Sequence, residues 1–438
     1  MGASFHMGFR GEAFAFDSPA EAIAAMVARV RAGARGPRTE AGALETVLGR
    51  VLAEPIVTPR DSPPFDYSAM DGYAVRVADV AEAGASVTLT VVGESRIGTE
   101  PPAMPTRPGV VRIATGAGIP DGANAVVRRE DVDEHEAAGQ GGAPGAAVSS
   151  VSLSPKVISG LSPGDNIRRR GENARARAMV LNIGSVLTSA AIGTLASVGA
   201  ASPRVYARPR VAIITTGDEL VPPGATPGAY QIHDSNAPTI RAALSAHPWI
   251  NVVSIARTRD ESDRLIDALC AALAAADAII LTGGVSMGHR DPVRAALEQL
   301  GTQVVFHGLP QRPGKPMLGG ISPRLGASIP VFALPGNPVS AMVTCVRIVL
   351  PVLASLAGIT RWPPAPRVAI ANPDSKSLEL WWHRLVRVNA HGDAELVDGR
   401  GSGDIVAGGR SDGFIEVPPA SIAGEKPTGL FPFYPWPA

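Results

Sequence analysis

Three short segments of this chain gather the residue types that handle anions and metals. The first is Thr215-Thr216-Gly217-Asp218-Glu219-Leu220, with two carboxylates directly after an apolar run. The second is Thr282-Gly283-Gly284-Val285-Ser286-Met287-Gly288-His289-Arg290-Asp291, just ahead of a helical pattern. Glycines there let backbone N–H groups face an anion, and the following helix adds its positive end. The third is Leu334-Pro335-Gly336-Asn337-Pro338-Val339-Ser340, again between strand and helix. Each segment alone is as readily an ordinary Gly-rich turn with a capping Asp or Asn. Three at one edge of a sheet instead make an anion-binding cleft. Acids beside such a site hold a divalent metal or position a proton, so Glu219, Asp260 and Asp291 are metal-relay candidates. Arg312 and Lys315, in Arg312-Pro313-Gly314-Lys315-Pro316, offer two cations to phosphate or an oxyanion; the plainer alternative is a basic surface turn.

Other motifs fail on inspection. Residues 308–315 approach a phosphate-binding loop, but the glycine spacing is wrong and Pro316 replaces the hydroxyl that would hold magnesium. Gly160-Leu161-Ser162-Pro163-Gly164 matches G-x-S-x-G without a buried strand leading in. The 8 histidines form no H-E-x-x-H and no Cys/His cluster, which argues against zinc. His289 reads as a loop polar residue. Trp381 and Trp382 offer a flat face to a heterocycle, with core packing as the plainer reading.

The elements that must position these residues are legible between 208 and 358. Apolar runs at 210–215, 252–256, 278–282, 303–306 and 329–334 read as strands. Residues 237–246, 265–275, 292–300 and 337–356 read as helices. Apolar strands alternating with helices predict a doubly wound, mostly parallel α/β sheet covered on both faces, with ligands at the carboxyl ends of its strands. Upstream, Ser18-Pro19-Ala20-Glu21 is a capping box with proline at the first helical position, and Ile23, Met26, Val27 and Val30 give the helix over 17–31 one apolar face. Residues 52–173 change to short β-like runs (86–92, 110–114, 125–128) between Pro and Gly. Residues 136–150 read as a mobile low-complexity loop, and 176–201 regain a helical pattern. The expected division is a discontinuous helical domain over 14–52 and 174–207, a small β-rich domain over 53–173, the α/β domain over 208–358, and a C-terminal all-β, barrel-like domain over 364–438.

Composition narrows the function. Lys plus Arg and Asp plus Glu both total 40 in 438 residues, so the net charge is zero. That argues against a chain that lives on nucleic acid or anionic membrane, because counterion release needs surplus cations, while a local basic patch such as Arg168, Arg169 and Arg170 is still allowed. Gly and Pro make up about a fifth of the chain, short of the roughly one quarter that signals disorder. Cys270 and Cys345, each in an apolar helical stretch, read as small buried hydrophobes in a reducing compartment. The N-terminus has no apolar core of a signal peptide, and His6 stands where myristoylation needs Ser or Thr. No apolar run reaches the ~20 residues that span a bilayer, so the expected location is the cytoplasm.

The motifs also resemble a known family. Ser68-Ala69-Met70-Asp71-Gly72-Tyr73-Ala74-Val75, Arg112-Ile113-Ala114-Thr115-Gly116-Ala117 and Pro120-Asp121-Gly122-Ala123 are similar to the first half of molybdopterin molybdenumtransferases, the MoeA/gephyrin E-domain family. The match continues in order through 168–173, 216–220, Asp234-Ser235-Asn236, 283–291, 312–316, 334–341, Gly401-Ser402-Gly403 and Ala423-Gly424-Glu425. It covers about residues 14–430.

The resemblance implies insertion of molybdate into adenylylated molybdopterin with Mg²⁺, releasing AMP and molybdenum cofactor. It assigns Thr216, Gly217, Asp218, Glu219, Ser235, Asn236, Gly283, Gly284, Val285 and Ser286 to the pterin-phosphate and nucleotide side. Asp260 and Asp291 match the family's functionally important acids. Arg312, Lys315, Pro335, Gly336, Asn337, Pro338 and Ser340 match its pterin and molybdate pocket. Asp71, Thr115 and Arg168 complete the cleft from a partner subunit, so a homodimer is implied, with the adenylyltransferase that makes the substrate as a further partner. Two residues depart from the family. Asn173 stands where it usually has aspartate, and Gly308 where a lysine is common. A pterin-binding scaffold without catalysis and a tungstate-handling insertase remain the alternatives; a scaffold has no need of Glu219, Asp260 and Asp291 together.

Overall fold

The computed structural model describes residues 6–7, 13–33, 36–82, 86–136, 148–285, 292–324, 327–423 and 429–438. The chain folds as two compact units, Met1–Glu54 with Asn182–Ala438, and Pro55–Leu181.

The first helix, α1 (Pro19–Gly33), buries Ala22, Met26 and Val30, one residue per turn. Its start is capped as the sequence predicts: Ser18 Oγ accepts from the Glu21 N–H at 3.2 Å, and Glu21 Oε2 accepts from the Asp17 N–H at 3.0 Å.

The unit over Pro55–Leu181 is built on a six-stranded sheet. Its strands are β1 (Gly72–Val75), β2 (Val87–Ser95), β3 (Gly109–Ile113), β4 (Ala125–Arg128), β5 (Val132–Glu136) and β6 (Val148–Leu153). The spatial order is β5-β6-β2-β3-β1-β4, antiparallel except for β2 beside β3. Alternation splits the buried residues between faces. Tyr73, Val75, Leu89, Val110 and Val151 form one cluster, and Ala74, Val111, Ile113 and Val126 form another. Most of the expected low-complexity loop, residues 137–147, lies outside the described residues.

In the larger unit the central sheet comprises β7 (Arg210–Thr216), β8 (Asn251–Thr258), β9 (Ala278–Thr282), β10 (Gln303–His307), β11 (Leu318–Arg324) and β12 (Ala327–Leu334). The order is β8-β7-β9-β12-β11-β10; the first four strands run parallel, and β12, β11 and β10 alternate in direction. Helices cover both faces. On one side α1 and α2 (Asn236–Ser245) pack Met26, Ile240 and Leu244 against Val211, Ile213 and Ile280. On the other, α3 (Ser262–Ala275) and α4 (Pro292–Gln299) pack Leu265, Leu269 and Leu297 against Ile214, Ile279 and Leu281.

The last helix of the larger unit's sheet layers lies on the α1 and α2 side and has three parts. α5 (Pro338–Thr344) passes into a π-helical turn, Cys345–Val349, and then α6 (Leu350–Leu356). Pro338–Leu356, 19 residues long with a mean hydropathy of 2.0 in an 18-residue window, matches a membrane span in length and composition, although no such run was expected; 83% of that window is buried within the protein. Its apolarity is that of a core helix.

Strands β13 (Trp381–Val388), β14 (Gly413–Val417) and β15 (Leu430–Pro435) form the C-terminal sheet, and β13 also pairs with Gln311–Arg312. Beneath it, Arg347 is bonded to Glu416 at 2.6 and 3.1 Å, and His383 Nε2 lies 3.1 Å from the same carboxylate.

Four expectations need correction. No strand was expected at β11, where Gly319, Gly320 and Pro323 dilute the apolar pattern; it forms a hairpin with β12 and gives the mostly parallel sheet one antiparallel edge. Residues 176–201 are helical only at Ser189–Ser197, after a strand at Met179–Leu181. Cys270 lies on the solvent side of α3, next to the buried Leu269, whereas Cys345 is fully buried. The strand β8 is at a sheet edge, so Val253 and Ile255 are partly exposed rather than covered on both faces.

Candidate functional site

The three Gly-rich loops of the larger unit meet at the carboxyl ends of β7, β9 and β12. Gly283, at φ +93°, lies so close to the loop after β7 that a Cβ would sit 2.0 Å from the Thr216 carbonyl oxygen. Only glycine fits there. A Cβ on Gly336 would lie 3.6 Å from the Gly283 Cα, which brings the third loop to the second. Asn236 ties them further: its Nδ2 donates to Thr282 Oγ1 and to the Gly336 carbonyl, both at 2.8 Å. Thr282 Oγ1 in turn donates to the Pro335 carbonyl at 3.1 Å. Asn236 Oδ1 is buried and accepts no hydrogen bond among the described residues, an open acceptor inside the junction.

Ser235 and Asn236 owe their place to Asp234. One Asp234 oxygen accepts from the Ala237 N–H at 3.1 Å and the other from Thr215 Oγ1 at 2.9 Å, with Arg257 at 3.3 Å. The start of α2 is thereby pinned to the end of β7.

The carboxylates stand around the loop after β7. Thr216 Oγ1 donates to Asp260 Oδ1 at 2.5 Å, and a Cβ on Gly284 would lie 3.8 Å from that oxygen. A Cβ on Gly217 would be 2.7 Å from Glu219 Oε2, so this side chain folds back over the loop. Asp218, Glu219 and Asp260 are exposed. Among the described residues no three His, Cys, Asp or Glu side chains form a metal-binding group. Ser286 and Asp291 lie outside the described residues. Asp260 and Glu219 are hard-oxygen donors, and Mg²⁺ is usually held by one or two carboxylates plus phosphate and water, so this pair fits it.

The cationic loop approaches α5. Gly314, at φ +94°, faces Thr344, whose hydroxyl donates to the Ser340 carbonyl at 2.8 Å. Arg312 is exposed, and the Lys315 ammonium stands 5.7 Å from the Phe14 ring centroid. At the other end of α5, Asn337 Nδ2 donates to Ser402 Oγ at 3.0 Å, and the Val339 N–H to the Ser402 carbonyl at 3.0 Å. This brings Gly401-Ser402-Gly403 to the Pro335–Pro338 turn.

The smaller unit gathers its own cluster. Asp71 Oδ1 accepts from the Thr115 N–H at 2.7 Å and Thr115 Oγ1 at 2.8 Å. Those bonds, with Arg129 and Arg112 nearby, hold its carboxyl below the usual range. Arg168 pairs with Glu172 at 2.6 Å, on a short strand bonded to Tyr67–Ser68. Sequence reasoning missed the residues that finish this cluster. Tyr73 bonds Glu134 at 2.7 Å, Arg129 pairs with Glu134 at 2.9 Å, and Arg112 lines the same small cavity as Asp71, Tyr73 and Arg129. The signal was present: Arg112 is the one charged residue in the buried strand Gly109–Ile113.

Comparison with known proteins finds a family and close structural neighbours. Residues 18–199 match the family described as the MoeA N-terminal region, domains I and II, and residues 212–355 match a probable molybdopterin binding domain. A molybdopterin molybdenumtransferase of Haemophilus influenzae is 36% identical over 340 residues, 77% of this chain and 78% of that protein. One from Nostoc sp. is 35% identical over 330 residues, 74% and 71% of the two chains. Two crystal structures of a molybdopterin biosynthesis MoeA protein from Pyrococcus horikoshii superpose with TM-scores of 0.70 and 0.75, at 26% and 25% identity. They cover 96% and 95% of this chain and 99% of each of their own.

Proposed function

The chain belongs to the molybdopterin molybdenumtransferase family, transferases of molybdenum cofactor biosynthesis, and from that premise we propose that it inserts molybdate into adenylylated molybdopterin with Mg²⁺, releasing AMP. The observation that carries this reading is the meeting of three Gly-rich loops beside two carboxylates that flank Thr216-Gly217.

Each group has a task in this reaction. Backbone N–H groups of Gly283, Gly284 and Val285 cradle phosphate, and the open Asn236 Oδ1 takes an N–H or hydroxyl from the substrate. Asp260 and Glu219 would hold Mg²⁺, with Asp291 as a further ligand, and the bound ion would supply positive charge for a phosphoanhydride. Thr216 orients Asp260 through its 2.5 Å bond. Arg312, Lys315 and Ser340 receive the oxyanion, and Pro335, Pro338 and Asn337 shape the turn beside it. Asp71, Thr115 and Arg168 act from the partner subunit of a homodimer.

The test is AMP release from adenylylated molybdopterin by the purified protein with Mg²⁺, with and without molybdate. Molybdate-dependent release is the expected result. Tight pterin binding with no release under any oxyanion would establish the scaffold instead, and release with tungstate alone would mark the tungstate variant.

A further inference from the structure

The smaller unit holds a cavity of about 660 Å³ that none of the loops above touches. Phe65, half exposed, forms one wall; Pro101 stands opposite, and both approach Gly118, where a Cβ would lie 3.5 Å from Pro101 and 3.8 Å from Phe65. The floor is rigid, because Ser95 Oγ donates to the Gly118 carbonyl at 2.7 Å and the Ile119 N–H to the Asp66 carbonyl at 3.0 Å. Four charged groups line it, and one of them, Asp66, is already occupied by the Arg170 N–H at 2.7 Å and Arg169 at 2.8 Å. Glu100 and Asp121 accept no hydrogen bond and pair with no cation among the described residues. Arg170 binds Asp61 through Nε at 2.6 Å, and its two terminal nitrogens donate to no acceptor among the described residues.

We infer that this cavity binds a flat, amino-substituted heterocycle carrying a phosphate. Its ring stacks on Phe65, its N–H groups donate to Glu100 and Asp121, and its phosphate meets the terminal nitrogens of Arg170. An apolar wall, open acceptors and an open cationic donor are what an aminopurine or aminopterin phosphate requires, and the volume suits one. The inference rests on the proposed function, whose substrate carries both rings. The chemistry is shared by both, and the experiment separates them.

AMP and, separately, neopterin monophosphate are titrated into the full chain by calorimetry, with saturation-transfer NMR on the ring protons. At least one is expected to bind. Phe65→Ala, at an exposed position, is expected to weaken that binding about fivefold or more, and Phe65→Trp to retain it. Whichever ligand responds identifies the ring. Equal affinity in wild type and Phe65→Ala, or binding of neither ligand at millimolar concentration, would overturn the inference. AMP release is followed in parallel. Release that persists while Phe65-dependent binding is absent sinks the cavity alone. Phe65-dependent binding without release under any oxyanion sinks the proposed function and leaves the cavity standing.

Discussion

At the scale of single residues, Asp260 accepts from Thr216 through one oxygen, and its other oxygen, proposed to take the metal, accepts no hydrogen bond among the described residues. Asp260→Asn is expected to lower molybdate-dependent AMP release by about 100-fold or more while AMP affinity stays within about tenfold, because metal handling goes and the glycine cradle remains. Equal loss of both in kinetic and binding assays would make Asp260 a structural residue. Gly308 shows how a departure from family pattern has a backbone reason. Its φ is +88°, with its N–H bonded to the Met317 carbonyl at 2.8 Å. Gly308→Lys is therefore expected to destabilise by about 1 kcal/mol, read from urea denaturation, and not to raise molybdate affinity.

At the scale of elements, the joint between the Pro338–Leu356 helix and the C-terminal sheet depends on one buried carboxylate. Burial alone would raise the Glu416 pKa, but the His383 bond and the charge and bonds of Arg347 outweigh it and hold it at about 2. The folded value lies below the unfolded one of 4.5, so this contribution is complete above about pH 4.5 and is lost as pH falls toward 2. Glu416→Gln is expected to cost about 3–5 kcal/mol at pH 7, since Arg347 is left buried without its counter-charge. Urea denaturation at pH 7 and pH 3 checks this: the gap between variant and wild type should narrow at the lower pH. A gap independent of pH would place the stabilisation elsewhere.

At the scale of the whole molecule, the proposed homodimer has a mass twice the chain's 45.0 kDa, which light scattering at micromolar concentration reads directly. A shared cleft makes a sharper prediction. Asp71→Asn and Asp260→Asn are each expected to be inactive. Mixed after mild dissociation, they should recover about a quarter of wild-type release, because half of randomly formed dimers are mixed and each carries one intact site. A mixture as inactive as its parents would confine each cleft to one chain.

The sequence by itself determined the elements and loops whose demands are local. Apolar runs of five to seven residues marked β7 and β9, the Ser18–Glu21 box marked the start of α1, and glycines at 283 and 284 marked backbone at positive φ, which favours glycine. Family resemblance then placed Asp260, Asp71 and Arg312 in one reading although they are far apart along the chain. Tertiary structure alone decided what lies against what. The β11–β12 hairpin was hidden by glycines and prolines, and Cys270 turned outward by helical phase beside a buried leucine. The Arg347–Glu416 pair joins residues 69 positions apart, and the walls of the Phe65 cavity come from four separate chain segments. Periodicity and backbone strain are written within a dozen residues. Burial, charge pairing and cavity shape arise only when distant segments close on one another, which no local pattern records.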